Sequence, residues 1–427
     1  MRHLIASSSS LLSGAFLLVL ASGLVSTLLG VRLVQEGYPA YVPGIVGAAY
    51  FVGIVTGSLT IHRALAGVGH IRIFAACASV CSAAMLAHGF ALDPYFWSGL
   101  RLLEGFCIAG LYICIESWLH DRASNETRGQ LLSVYMTVVY FGLGASQLLL
   151  NLWEPSSFAL FGVCSLLMSI SLVPVALTRT PAPPLPSPQF FGIRRLYAIS
   201  PLGITGSVAS GVALGAFYGL GPVFAAGAGL DVAGTARFMT ATILGGLVLQ
   251  WPLGWLSDRF DRRTVISSVC AAIALFGAAM FFGKALSEPV LLAGAVVYGG
   301  AIFSLSPLCI AHANDYITSD DRVGASGGLM LAYGVGAVMG PLLASAATMG
   351  LGTGGLFALG AAVGLATLLF AFWRMAQRTA LPLDQQGEFQ LLPRTSPYAA
   401  ELGEDPDTPT APAAEILPRD YEDDDIF

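Results

Sequence analysis

Apolar stretches of about 20 residues succeed one another along nearly the whole chain, and short joints between them hold most of the charged side chains. Such a stretch is what a helix needs to cross roughly 30 Å of hydrocarbon, where it can satisfy its own backbone hydrogen bonds. The pattern predicts twelve spans, at 11–34, 42–62, 71–91, 95–118, 129–152, 157–178, 198–225, 233–257, 264–284, 289–311, 323–349 and 353–376. Between the sixth and seventh lies TRTPAPPLPSPQFFGIRRL (Thr178 to Leu196), whose five prolines predict a non-helical linker. The chain therefore divides into a six-helix half at 1–178, a cytoplasmic linker at 179–197, a second half at 198–377 and a tail at 378–427.

The halves resemble each other. The fifth span opens with NETRGQLLSVYMTVVYFGLG (Asn125 to Gly144) and the eleventh with DDRVGASGGLMLAYGVG (Asp320 to Gly336). Each has an acid, then an arginine, then a glycine-punctuated helix with a tyrosine just before Gly-x-Gly. The expected fold is all-α: an integral membrane protein of two pseudo-symmetric six-helix halves, a layout suited to alternating access around a midplane site.

Composition agrees, with 55% hydrophobic residues, 11% charged and a mean hydropathy of +0.73 over 427 residues. Arginines cluster on one side: Arg63, Arg72, Arg122, Arg128, Arg179, Arg194, Arg195, Arg259, Arg262, Arg263, Arg322, Arg374 and Arg378 fall in the even-numbered joints, the linker or the C-terminal flank. Only Arg32 and Lys284 lie near the opposite joints. This bias places both termini in the cytoplasm and the chain in the inner (plasma) membrane. The opening MRHLIASSSSLLSGAFLLVLASG is read as an uncleaved first span. The net charge of -6 belongs to the tail, where twelve acids face two arginines from Ala380 onward; that acidic, proline-rich segment is expected to be disordered.

All seven cysteines sit in apolar runs without metal-ligand spacing, so neither a metal nor a disulfide is implied, and no cofactor is expected. There is no nucleotide-binding loop or nucleophile arrangement, which speaks against an enzyme or an ATP-driven pump. No nucleic-acid partner is expected. The partners are the bilayer, a small-molecule substrate and protons, with the chain working as a monomer.

Two charged constellations break the apolar pattern. GWLSDRFDRR (Gly254 to Arg263) ends the eighth span, on the arginine-rich side. It resembles the signature loop of the major facilitator superfamily, G-x-x-x-D-R-x-G-R-R, with Asp261 in place of the loop glycine. The resemblance implies a cytoplasmic gate of Gly254, Asp258, Arg259, Arg262 and Arg263, with Asp258 facing the N-terminus of the eleventh span. The first-half counterpart, GSLTIHRALAGVGHIRIF (Gly57 to Phe74), has no aspartate in its place. His312 and Asp315, ending the tenth span, are read as a wetted helix terminus.

The second constellation is RLLEGFCIAGLYICIESWL (Arg101 to Leu119) in the fourth span. Charges inside a bilayer face the protein interior and pair. Arg101 and Glu104 are i, i+3 neighbours, while Glu116 lies about 60° around the helix from Arg101. The superfamily often carries R-x-x-Q-G here, with an arginine linked to proton movement. Arg101, Glu104 and Glu116 are thus proton-coupling candidates. For Glu104 a structural pair with Arg101 is the alternative, and for Glu116 a wetted helix end. Glu116-Ser117, Arg128 to Met136 and Gln250 to Asp258 together resemble the bacterial YcaD-like branch of the superfamily. In that fold the first, fourth, seventh and tenth helices line the central path, which implies cavity residues Ser22, Ser26, Tyr112, Thr205, Ser210, Tyr298 and Ser304. So few charges at mid-depth suit a small neutral, amphipathic or weakly charged solute. The fifth span has GLGASQLL where the family's drug-proton antiporters carry Gly-Pro. The expected function is secondary active transport by alternating access, coupled to protons; the alternative is a sensor or partner-binding protein on the same fold.

Overall fold

An apolar run in lipid coils because the helix leaves no backbone donor stranded. In the computed structural model the described residues, 2–123, 127–177, 192–317, 322–387 and 389, form helices and the joints between them. They are α1 (Arg2–Gln35), α2 (Tyr41–Val68), α3 (His70–Ala87), α4 (Pro94–Arg122), α5 (Arg128–Leu148), α6 (Phe158–Ala176), α7 (Ile193–Ile199), α8 (Pro201–Gly227), α9 (Val232–Ser257), α10 (Arg262–Phe281), α11 (Glu288–Asn314), α12 (Arg322–Leu351) and α13 (Gly355–Gln377). All but α7 are long and apolar enough to cross a membrane, and they match the twelve predicted spans in order. Trp251, Leu166, Leu275 and Phe372 each expose more than half of their surface, as lipid-facing side chains do. The molecule is an integral, multi-pass membrane protein.

The starts of the helices are written in side chains. Asp93 accepts from Phe96 N at 2.7 Å, Asp231 from Gly234 N at 2.6 Å and Asp261 from Arg263 N at 3.0 Å, each satisfying a donor that the first turn leaves open. The short α7 runs into the start of the seventh predicted span but begins within the stretch predicted to be non-helical. Its prolines end at Pro188, so IRRLYAI is free to coil before Pro201 opens α8. Residues 178–191 of that linker lie outside the described residues, as does the tail from 390 onward.

The same packing scheme recurs in both halves. In the first, α1 packs on α5 and α6, α2 on α4, and α3 on α4 and α6. In the second, α8 packs on α12 and α13, α9 on α11, and α10 on α11 and α13. The closest contacts repeat as well. A Cβ on Gly53 or Gly105 would strike the carbonyl oxygen of Leu102 or Tyr50 across α2 and α4, and one on Gly245 or Gly299 would strike that of Val296 or Thr242 across α9 and α11. The halves meet where α2 packs on α12 and α5 on α9.

Several close approaches between them lie at the end of the bundle carrying the α1–α2 and α8–α9 joints. There Gly30 abuts Pro222, Gly47 abuts Gly219 and Pro341, Ser345 Oγ donates to Ala40 O at 2.9 Å, and Thr240 Oγ1 donates to Gly144 O at 3.1 Å.

Candidate functional site

Between the halves lies a cavity of about 210 Å³. Its walls are mostly apolar and aromatic: Tyr50 and Phe51 from α2, Tyr112 from α4, Tyr135 and Tyr140 from α5, Tyr218 from α8, Phe303 from α11 and Tyr333 from α12. Tyr140 and Phe303 meet edge to face across the halves, with ring centroids 5.5 Å apart. Ser58 and Leu59 of α2, Met136 of α5 and Gly327, Met330 and Leu331 of α12 continue the wall towards the end bearing the α4–α5 and α9–α10 joints.

Among the described residues, one cation lines this space. Arg101, buried in α4, donates from Nη1 to Glu104 Oε2 at 2.8 Å and from Nη2 to Ser26 Oγ at 3.1 Å, and its guanidinium lies 4.0 Å over the Tyr50 ring. The helix spacing that predicted the pair is thereby realised, and the arginine also reaches across to α1 and α2. Glu104 is wholly buried, and its second oxygen, Oε1, makes no hydrogen bond. Facing it at 3.4 Å is Nδ1 of His88, from the turn that ends α3.

Glu116 is equally buried rather than at a wetted helix end, and it accepts from the Tyr135 hydroxyl at 3.1 Å. It therefore stands one side chain behind the cavity wall.

Of the cavity residues expected from the sequence, Ser22, Ser26 and Tyr112 lie on the wall, joined by Thr27 and Gln147, whose side chains bond each other. Thr205, Ser210, Tyr298 and Ser304 are not on it. Ser210 Oγ donates to Ile302 O at 3.4 Å, Ser304 is fully buried, and Tyr298 packs on Phe357 with centroids 4.9 Å apart. Ser210 and Tyr298 thus serve contacts within their own half. The additional tyrosines from α2, α5, α8 and α12 were missed because their helix rotation carries no signal in an almost uniformly apolar sequence.

The charged loop at the other site is assembled as a cluster. Arg262 is buried; its Nη1 forks onto both carboxylate oxygens of Asp315 at 2.6 and 2.7 Å, its Nε donates to Ser257 Oγ, and its Nη2 lies 3.4 Å from Asp258. Asp315 is thus a buried ion-pair partner, not a wetted terminus, and His312 beside it is also buried. Arg263 holds Asp261 at 2.9 Å and donates to Arg378 O at 2.7 Å. Burial would raise the Asp261 carboxyl, but the hydrogen bonds from Arg263 outweigh it and hold its pKa below the usual value. Arg259 instead stacks its guanidinium 3.9 Å over Trp255. The partner expected for Asp258, the start of the eleventh span, adjoins residues 318–321, which lie outside the described residues.

The chain beyond α13 is part of this cluster. Arg262 Nη2 donates to Gly387 O at 2.7 Å, Gly387 N donates to Asp315 Oδ1 at 3.1 Å, and Phe389 N donates to Asp258 Oδ1 at 2.7 Å. The Phe389 ring lies against Gly254, where a Cβ would collide with it. The stretch from Arg378 to Phe389 was read as the start of a disordered tail; its described residues are instead bonded to the cluster, largely through backbone atoms that leave no mark in composition.

Comparison with known proteins places these features in context. The family model described as Major Facilitator Superfamily matches residues 11–306 and 238–412. An uncharacterized MFS-type transporter YcaD of Escherichia fergusonii is 28% identical over 333 residues, 78% of this chain and 86% of that one. An uncharacterized MFS-type transporter of Yersinia pestis is 27% identical over 341 residues, 78% of this chain and 87% of that one. Among solved structures, the nucleoside transporter NupG superposes with a TM-score of 0.72 at 14% identity, covering 87% of this chain and 98% of that one. A bacterial homologue of the human lysosomal transporter Spinster, inward-facing and unoccupied, gives 0.67 at 15% identity over 87% of this chain and 95% of that one.

Proposed function

This chain belongs to the major facilitator superfamily, and on that premise we propose that it is a secondary transporter moving a small solute by alternating access, with protons as the coupling ion. Membrane transport follows from the family; the coupling and the cycle are the further step. The observation that carries them is the buried Arg101–Glu104 pair on the wall of the cavity. Glu104 is the acid of that pair, and its charge state decides whether Arg101 is neutralised from within or available to a solute.

Closure of the halves at one end, with cavity walls continuing towards the other, supports a state facing the α4–α5 and α9–α10 joints. By the distribution of arginines that end is cytoplasmic, with both termini, in the inner (plasma) membrane. The Asp258, Arg259, Arg262 and Arg263 cluster then serves as the gate on that side, and the chain works as a monomer. Glu116, behind Tyr135, is a second site for the coupling proton. The aromatic walls and the Arg101–Glu104 pair favour a small amphipathic solute with a flat apolar body and a few hydrogen-bonding groups.

The test has two stages. Sugars, amino acids, nucleosides and drug-like amphiphiles are screened against the purified protein by thermal shift, where a ligand at about 100 times its dissociation constant adds roughly 2.7 kcal/mol. A chemically coherent hit is then followed into vesicles with and without a pH gradient. Accumulation driven by the gradient and lost in Glu104→Gln is expected; accumulation that ignores the gradient overturns the coupling.

A further inference from the structure

His88 stands in the turn between α3 and α4, 16 residues from Glu104 in sequence, and no motif marks it. It is 1% exposed. Trp97 and Phe161 enclose its ring, with centroids at 5.6 and 6.3 Å, and the Trp97 indole donates to His88 O at 3.2 Å, which pins the turn. Nδ1 lies 2.9 Å from Ala84 O and 3.4 Å from Glu104 Oε1, while Nε2 has no hydrogen-bond partner.

Two buried atoms, Glu104 Oε1 and His88 Nε2, are therefore left without a hydrogen bond, the first 3.4 Å from His88 Nδ1 and the second on the other nitrogen of the same ring. Buried polar atoms are rarely left so without reason. The other titratable groups around Glu104 are Arg101 and Cys107 on α4, Tyr50 on α2, Cys81 on α3 and Cys164 on α6. Arg101 holds its charge permanently, and the thiols and phenol are poor proton acceptors at neutral pH. Among these groups an imidazole is the one suited to exchange protons with a carboxylate in that range.

We propose that His88 is the proton-exchanging partner of Glu104, linking the α3–α4 end of the bundle to Arg101 on the cavity wall. This rests on the reading that Glu104 carries the coupling proton. In the step, hydronium gives up a proton, which forms an N–H bond at Nε2 and leaves water, while the Nδ1–H bond turns from Ala84 O and breaks and an O–H bond forms at Glu104 Oε1. The ring remains neutral as the other tautomer, and the carboxylate becomes a carboxylic acid. Exchange of the tautomer back through water resets the ring. Burial lowers the pKa of His88, and nearby Glu104 only partly offsets this, so the ring rests neutral and ready to accept. Once Glu104 is protonated, Arg101 loses its counter-charge and its guanidinium can bind an acceptor on the solute.

The test is a pH titration of the full-length protein in lipid vesicles, reading the infrared C=O stretch of protonated carboxyl groups between about pH 4 and pH 9. A band that titrates in the wild type and vanishes in Glu104→Gln identifies the carboxyl. In His88→Gln, and in His88→Asn as a second variant, its midpoint is expected to move by about one pH unit, a tenfold change in proton affinity. Cys81→Ser should leave it in place, and unfolding temperatures confirm that each variant is folded. No titrating Glu104 band in the wild type would overturn the coupling reading and the relay with it. A band that titrates identically in folded His88 variants would overturn the relay alone.

Discussion

Glu104 holds one oxygen against Arg101 and presents the other to His88, so a single atom change tests its structural and functional roles separately. Glu104→Gln leaves Arg101 charged and buried without a counter-ion. Its unfolding free energy should fall by about 3 kcal/mol, as expected when one partner of a buried pair is removed, and gradient-driven flux should disappear; chemical unfolding and vesicle uptake check the two. Asp261 offers a pH test. Its pKa is depressed from 3.8 by Arg263, so the tie to Arg263 contributes stability above pH 3.8 that is lost as pH falls through the lower, folded-state value. Wild type should unfold at a higher temperature than Asp261→Asn at neutral pH, and the difference should close below about pH 3.8. The Arg101–Glu104 pair was legible in the sequence because both residues lie on one helix, where spacing fixes neighbourhood. His88 was not, because its place beside Glu104 depends on how α3 turns into α4. Thr205, Ser210, Tyr298 and Ser304 illustrate the same gap: a helix that is apolar all round does not disclose which face turns to the cavity.

At the level of elements, the α2–α4 and α9–α11 contacts are set by glycines at which the backbones nearly touch. Gly53→Ala should push α2 and α4 apart and cost about 1–3 kcal/mol, seen as a lower unfolding temperature, whereas Gly67→Ala, where a Cβ meets nothing within 4 Å, should not. Span order and length were readable because hydropathy alone dictates them in a bilayer. The short α7 was hidden by the prolines just before it, and the bonded stretch through Phe389 by its reliance on backbone groups. Asp315→Asn removes the counter-ion that Arg262 grips with two bonds at 2.6 and 2.7 Å, so a loss of about 3 kcal/mol is expected there as well.

For the whole molecule, the repeated packing of the two halves makes closure at one end and opening at the other a movement of two similar bodies. Asp258→Asn should slow that movement while leaving expression intact, since Asp258 lies at the edge of its cluster with its side chain 37% exposed; normal flux in vesicles would remove the gate from the mechanism. Deleting the chain after Thr379 should likewise leave a folded protein with altered flux. The contacts of Gly387 and Phe389 also concern the birth of the protein. Ribosomes make the chain from its N-terminus, so α9, α10 and α11 enter the membrane well before residues 387 and 389 are synthesised, and their acids and arginine must wait for these last backbone partners. The interval ends only when translation has passed Phe389. Arrested nascent chains stopped before and after that point should therefore differ in how readily a protease cuts at Arg259.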